Sequence, residues 1–262
     1  MAEANEYADF DRIELMTELK GILVNYTPLH VGTAAPKAQI GVDKPVEKGL
    51  HPDKGVKTPY IPGSSLKGVL RSMAERLVRS GLLGPDAWAC DPFNEQDKEV
   101  EDTSGPCIVC GIFGGGGKRN NRVASHVEIL DAYPEKPEEV STRTRTRVAI
   151  SRFKGGAAGR RLFNIEIVEP GVRWEFRMRI FNIDLRKSGD PRSKLLREVL
   201  RLLRDGLIGV GGGRSVGLGS IKLEDAELTF YTLREGRLVR EGPIPIDEIL
   251  REGGSSGMGT SR

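Results

Sequence analysis

The sequence predicts an α+β fold: an antiparallel sheet against two helices in a ferredoxin-like split β-α-β order, interrupted by long insertions. Three observations predict it. Two segments, around 66–78 and 195–203, space their apolar residues as one helical stripe, and several others alternate apolar and polar residues as strands do. Setting aside the aperiodic stretches 27–62, 83–122 and 133–161 leaves strand, helix, strand, strand, helix, strand.

In chain order, Ile13 to Tyr26 leads into a first strand, with Ile22, Val24 and Tyr26 on one face. Residues 27–62 are rich in Gly, Pro and Lys and lack periodicity; loops of this length are usually functional or disordered. The first helix follows, with Leu66, Val69, Leu70, Met73, Ala74, Leu77 and Val78 forming its stripe. Pro59 and Pro62 exclude an earlier start, Ser64 or Ser65 is expected to cap the free N–H groups, and Gly81 to close the helix. A Gly-Ser-Ser opening with Lys67 one turn in suits a phosphate, although a capped helix with a solvated lysine accounts for the same residues.

Residues 83–122 are expected outside the core, with the acidic run Asp91 to Asp102 as an exposed loop. Val123 to Leu130 resumes strand-like alternation. From Ser141 to Arg161 come Arg143, Arg145, Arg147, Arg152, Lys154, Arg160 and Arg161 without a single Asp or Glu, around a small-residue tip, which predicts a protruding basic hairpin. Phe163 to Val168 and Val172 to Ile180 alternate on either side of Pro170-Gly171 and predict a second hairpin. Asp190-Pro191 opens the second helix, Gly206 ends it, and a last strand pair runs through Ile221, Leu223, Leu228 and Phe230. The expected division is a core of 12–232 and a C-terminal extension of 233–262 whose Gly/Ser tail is disordered.

The formal charge of +3 is too small to argue for nucleic acid, and aromatics at 6% leave few stacking platforms. No apolar run reaches membrane-spanning length and no signal segment opens the chain, so a soluble, cytoplasmic protein is expected. Three cysteines with a Cys107-x-x-Cys110 pair argue against a disulfide framework and for a metal. Cys90, Cys107 and Cys110 offer three thiolates to a structural Zn2+; His51, in another insertion, is preferred to His126 as the fourth donor. Reduced, buried thiols are the competing reading.

The glycine-rich segment Gly209 to Gly219 lacks Gly-Lys-Ser/Thr and does not open a helix, so it is not a P-loop. Its glycines can let backbone N–H groups approach a phosphodiester chain with Arg214 as the charge partner; a flexible turn is the alternative.

Taken together, Tyr60-Ile-Pro-Gly-Ser-Ser-Leu-Lys-Gly68, Cys110-Gly-Ile-Phe-Gly114 and the late glycine loop resemble the RAMP superfamily of CRISPR proteins. More narrowly, the chain resembles the Cas-seven-type backbone subunit of type III effector complexes, from Leu19 to about Thr232. The resemblance implies a modified RNA-recognition (RRM-like) fold with a lid and a thumb hairpin, the thumb falling on 141–161. It also implies copies of the chain stacked in a helical filament along a CRISPR guide RNA, together with complementary target RNA and other type III subunits. Leu29-His-Val-Gly32 and Gly41-Val-Asp-Lys-Pro-Val46 resemble the loop that carries a catalytic aspartate, which puts that role on Asp43, with Mg2+ or Mn2+ as the ion for target cleavage. RNA contacts are expected from His30, Lys44, Ser64, Ser65, Lys67, Arg71, Arg145, Arg147, Arg152, Lys154, Gly212, Gly213, Arg214 and Ser215. Zinc occurs in the corresponding insertion of some members. Two readings stand beside this one: a non-catalytic RNA-binding scaffold in the same filament, and a stand-alone CRISPR transcript-processing ribonuclease with His30 as general base.

Overall fold

The computed structural model describes residues 9–32, 42–115, 122–153, 155–234 and 236–251. The first half contains β1 (Leu15–Asn25), β2 (Lys48–Leu50), β3 (Lys57–Pro59), α1 (Gly63–Arg79), α2 (Glu95–Ser104), α3 (Cys110–Phe113) and β4 (Val127–Ile129). The second half contains β5 (Thr142–Ile150), β6 (Ala157–Val168), β7 (Arg173–Phe181), α4 (Pro191–Arg204), β8 (Ile208–Gly209), β9 (Ser220–Arg234), β10 (Arg237–Pro245) and α5 (Ile246–Arg251).

The main sheet has the strand order β10-β9-β1-β7-β4, with β8 also on β9, and every pairing is antiparallel. Strand alternation decides which side is buried. Leu15, Thr17, Leu19 and Leu23 of β1 point inward with Trp174, Phe176, Met178 and Ile180 of β7. Against this face pack α1, through Leu66, Leu70, Ala74 and Val78, and α4, through Leu195, Leu196, Val199, Leu200 and Leu203.

The helix ends follow local chemistry. Asp190 accepts the Arg192 N–H and Pro191 fills the first turn of α4; Gly81 and Gly206 follow the two core helices with positive φ. The expectation for the start of α1 is corrected. Neither Ser64 nor Ser65 caps it; Pro62 precedes the helix without a side-chain bond, and the Gly63 N–H donates to Asp131 Oδ1 at 2.7 Å.

Three further expectations are overturned. Residues 163–180 are not one hairpin. β6 pairs with β5 in a separate ribbon, while β7 joins the main sheet between β1 and β4. The reason is that the two apolar faces go to different cores: Ile165 and Ile167 pack on Leu218, and the β7 residues enter the central core. The insertion 83–122 does contribute to the core, because Cys90, Cys107, Ile108, Val109, Cys110, Ile112 and Phe113 are buried in the main cluster. The acidic stretch within it is α2, capped by Asn94 and burying Glu101, rather than an exposed loop.

In the C-terminal extension, β10 becomes an edge strand and α5 buries Ile246, Ile249 and Leu250. The tail beyond 251 lies outside the described residues. No described helix is long and apolar enough to cross a membrane.

Candidate nucleic-acid interface and metal centre

The β5–β6 ribbon is the protruding basic hairpin of the sequence, with Arg145 and Arg147 opposite Ile165 and Phe163. Arg145 and Arg152 are exposed and Phe153 stands fully exposed at the turn; Lys154 lies outside the described residues. The Asp43 loop is fastened to the inner half of β6. The Asp43 and Lys44 N–H groups both donate to Asn164 O, and the Asn164 N–H donates to Asp43 Oδ2 at 2.6 Å. Asp43 and Lys44 remain exposed, with the Lys44 ammonium 5.5 Å from the Phe163 ring centre. A carboxylate, a lysine and two arginines therefore share one end of the ribbon.

His30 is buried at this junction, its Nδ1 2.7 Å from Glu166 O, so Nδ1 carries the hydrogen and donates. Its pKa is lowered, first by burial and then by Arg147 and Lys44, which together outweigh the Glu166 contact. The ring is therefore neutral at pH 7.

The glycine loop closes over it. Gly212 N–H donates to His30 O at 2.8 Å, and a Cβ on Gly211, at φ +79°, would lie 2.3 Å from that same oxygen. A Cβ on Gly213 would lie 2.4 Å from the Arg147 guanidinium. Glycine is required here by close approach of protein backbone and side chain. Arg214 and Ser215 are exposed on the short turn that follows, and the Arg214 guanidinium reaches Gly209 O. The structure thus brings His30, Asp43, Lys44, Arg147 and Gly212 to Ser215 around the base of the hairpin.

The mouth of α1 is a different environment. Ser64 is exposed, but Asp131 already takes the Gly63 N–H. Lys67 donates to Ser125 Oγ at 2.7 Å, and its pKa is lowered by burial and by Arg71. Arg71 is engaged within the protein, donating to Glu75, to Gly114 O and to Cys110 Sγ at 3.2 Å. These contacts raise its pKa despite burial. It clamps the cysteine insertion to the core helix.

The three cysteines converge with a carboxylate. Cys90, Glu101, Cys107 and Cys110 are all buried, and their ligand atoms lie within 4.8 Å of one another. Glu101 Oε1 accepts the Cys107 N–H at 3.0 Å, and Cys90 and Cys110 sulfurs are 3.5 Å apart. The Cys107 pKa is lowered because Cys110 and Cys90 hydrogen-bond to its sulfur, and the same contacts with Cys107 raise Cys90 and Cys110. Three thiols and one carboxylate form a donor set that fits tetrahedral zinc. His51, the expected fourth donor, is elsewhere: its Nδ1 accepts from the Asp53 and Lys54 N–H groups and its Nε2 faces Pro134 O. Sequence reasoning missed Glu101, although a glutamate six residues before Cys107 was a usable signal. It also missed Glu166 and Asn164, which only the pairing of β6 with the Asp43 loop reveals.

The sheet face away from α1 and α4 carries Tyr231 and Phe181 on either side of Met16 at one end. Its next rows are charged, Glu18, Arg179, Glu128 and then Glu227, Lys20, Arg177 across neighbouring strands, while Trp174, Phe176 and Phe230 point into the core. Lys20–Glu18, Arg177–Glu175 and Arg179–Glu128 ion pairs balance its charge. A polyanion gains little there.

Fold and site define a scaffold whose core is ordinary and whose inserted loops and basic ribbon carry the polar chemistry. A model of the RAMP superfamily matches residues 26–222, and the chain belongs to that superfamily. It is similar to the CRISPR system Cms endoribonuclease Csm3 of Methanocaldococcus jannaschii, 30% identical over 215 residues, covering 80% of this chain and 79% of the relative. The protein of the same name from Methanothermobacter thermautotrophicus is 26% identical, covering 81% and 87%. The CRISPR system CMR subunit Cmr6 of Saccharolobus solfataricus is 30% identical over 135 residues, 49% of this chain and 35% of that protein.

Proposed function

We propose that this chain is a backbone subunit of a type III CRISPR ribonucleoprotein: it binds guide RNA and acts as an endoribonuclease on complementary target RNA within the assembled complex. The observation that carries the reading is an exposed carboxylate, Asp43, fastened to a basic ribbon in a RAMP-superfamily chain. The strand order β9-β1-β7-β4 supports a ferredoxin-like, RNA-recognition-type frame. The charge-balanced sheet face favours RNA on the loop side, where the guide supplies sequence readout and the protein follows the backbone. Copies of the chain stack along the guide in a helical filament with other type III subunits, in the cytoplasm.

RNA cleavage can use the substrate's own 2′-OH, so the chain's task is to orient one splayed phosphate and manage charge. Arg145, Arg152 and Arg214 hold the backbone electrostatically, and Asp43 stands at the reacting phosphate with Lys44 beside it. A single exposed carboxylate suits Mg2+ or Mn2+, which keeps waters and shares phosphate oxygens; bound through Asp43, such an ion would supply charge neutralisation. The Nδ1–H bond to Glu166 O leaves His30 Nε2 unprotonated, but the ring is buried, which speaks against its reaching a substrate 2′-OH as general base. Cys90, Glu101, Cys107 and Cys110 would hold a structural Zn2+, which would fix the 83–122 insertion, the lid of this reading.

The test is incubation of the assembled complex with complementary RNA and Mg2+. Wild type cuts at a fixed spacing, whereas Asp43→Ala lowers the rate by about 100-fold or more and leaves guide binding intact. Unchanged cleavage removes Asp43 from the mechanism.

A further inference from the structure

Glu166 is buried on β6, between Ile165 and Ile167 that face Leu218. A carboxylate in that position needs a reason. The Asp43 loop meets β6 as a short parallel pairing, with Lys44 N–H on Asn164 O and Glu166 N–H on Lys44 O. The next bond of such a ladder would run from Val46 N–H to Glu166 O. That oxygen is already taken by His30 Nδ1, and the Val46 N–H goes instead to the Glu166 side chain, Oε2, at 3.1 Å. The other carboxylate oxygen takes the Lys48 ammonium at 2.6 Å. One residue thus holds His30, which abuts the glycine loop, and both Val46 and Lys48, just beyond Asp43.

We propose that Glu166 is the positioning residue of the cleavage site: its carboxylate substitutes for its own occupied carbonyl and registers the Asp43 loop against the basic ribbon. The inference rests on Asp43 acting in cleavage. Glu166 touches no RNA itself. Its effect is on where the Asp43 carboxylate stands, and a misplacement of about 1 Å can cost on the order of 100-fold in rate.

The experiment measures single-turnover cleavage at saturating target in the assembled complex, with target affinity measured separately. Glu166→Gln keeps the size and one acceptor but leaves Lys48 a neutral partner; the rate should fall about 10-fold or more, with target affinity unchanged. Lys48→Met should reproduce that fall, and the double variant should add little to either, since both break one contact. Ile167→Val, on the opposite face of β6, weakens the ribbon without touching the loop and should leave the rate unchanged. Should Glu166→Gln fail to assemble, Lys48→Met carries the test alone. Wild-type rates in Glu166→Gln or Lys48→Met beside an inactive Asp43→Asn would overturn the positioning role and leave the proposed function standing. An equal fall in Ile167→Val would reduce Glu166 to a structural role. A fully active Asp43→Asn would instead remove the proposed function, and this inference with it.

Discussion

Glu166 on β6 and Glu101 on α2 are both nearly removed from water, at 6% and 2% exposure, and each sits where a long insertion meets the rest of the fold. Their surroundings differ. Glu166 is answered by a cation of the same chain, Lys48, together with the Val46 N–H. Glu101 is set among three thiols and accepts the Cys107 N–H. A buried carboxylate is tolerable when its charge is compensated. The loop junction supplies that compensation through Lys48, whereas the cysteine insertion groups its carboxylate with three thiols, a donor set that fits a metal ion.

The largest effect should come from breaking the lid. A strong chelator, or Cys107→Ser, should lower the melting midpoint by roughly 10 °C as structural zinc is lost, and elemental analysis should track the loss. Protein purified with less than about a tenth of an equivalent of zinc would contradict the contrast. A smaller effect is expected at the loop junction. Lys48→Met leaves Glu166 buried beside a neutral side chain and should cost about 1–3 kcal/mol in denaturant unfolding, with zinc content unchanged.

Acid should separate the two regions further. The Glu166 pKa is lowered: burial pushes it up, but Lys48, the Val46 N–H and Thr142 together outweigh that push. Its stabilisation is thus fully present above the ordinary carboxylate range and is lost only as pH falls through its lowered folded value. Thiolate ligands take protons earlier, so a zinc indicator should report release at about pH 5, while the pH dependence assigned to Glu166 appears below that. Simultaneous loss would mean that the lid and the loop are not independently held.

The two helices were legible in the sequence because each turns one apolar stripe inward, and Asp190-Pro191 marks its own helix start. The basic ribbon was legible as charge. The destination of β6 was not, since alternation records that a strand has two faces and is silent about which core each face meets. The start of α1 misled for a related reason: Ser64 and Ser65 are good caps locally, yet Asp131, distant in sequence, takes the Gly63 N–H. His51 seemed a reasonable zinc donor by residue type, and is occupied by its own turn. Lys67 and Arg71 were read as facing a phosphate, and the tertiary structure adds their bonds to Ser125 and to the cysteine insertion.

The sequence by itself determined the frame, the basic hairpin, the cysteine trio and the motifs that relate the chain to its superfamily. Those features are local, set by spacing and residue chemistry within a few turns. Only the tertiary structure decided that Glu101 completes the cysteine cluster, that Glu166 joins the Asp43 loop to the ribbon, and that the open sheet face is charge-balanced. Each of these depends on contacts between residues far apart in the chain, where burial and available partners, rather than local propensity, set what a charged side chain can do.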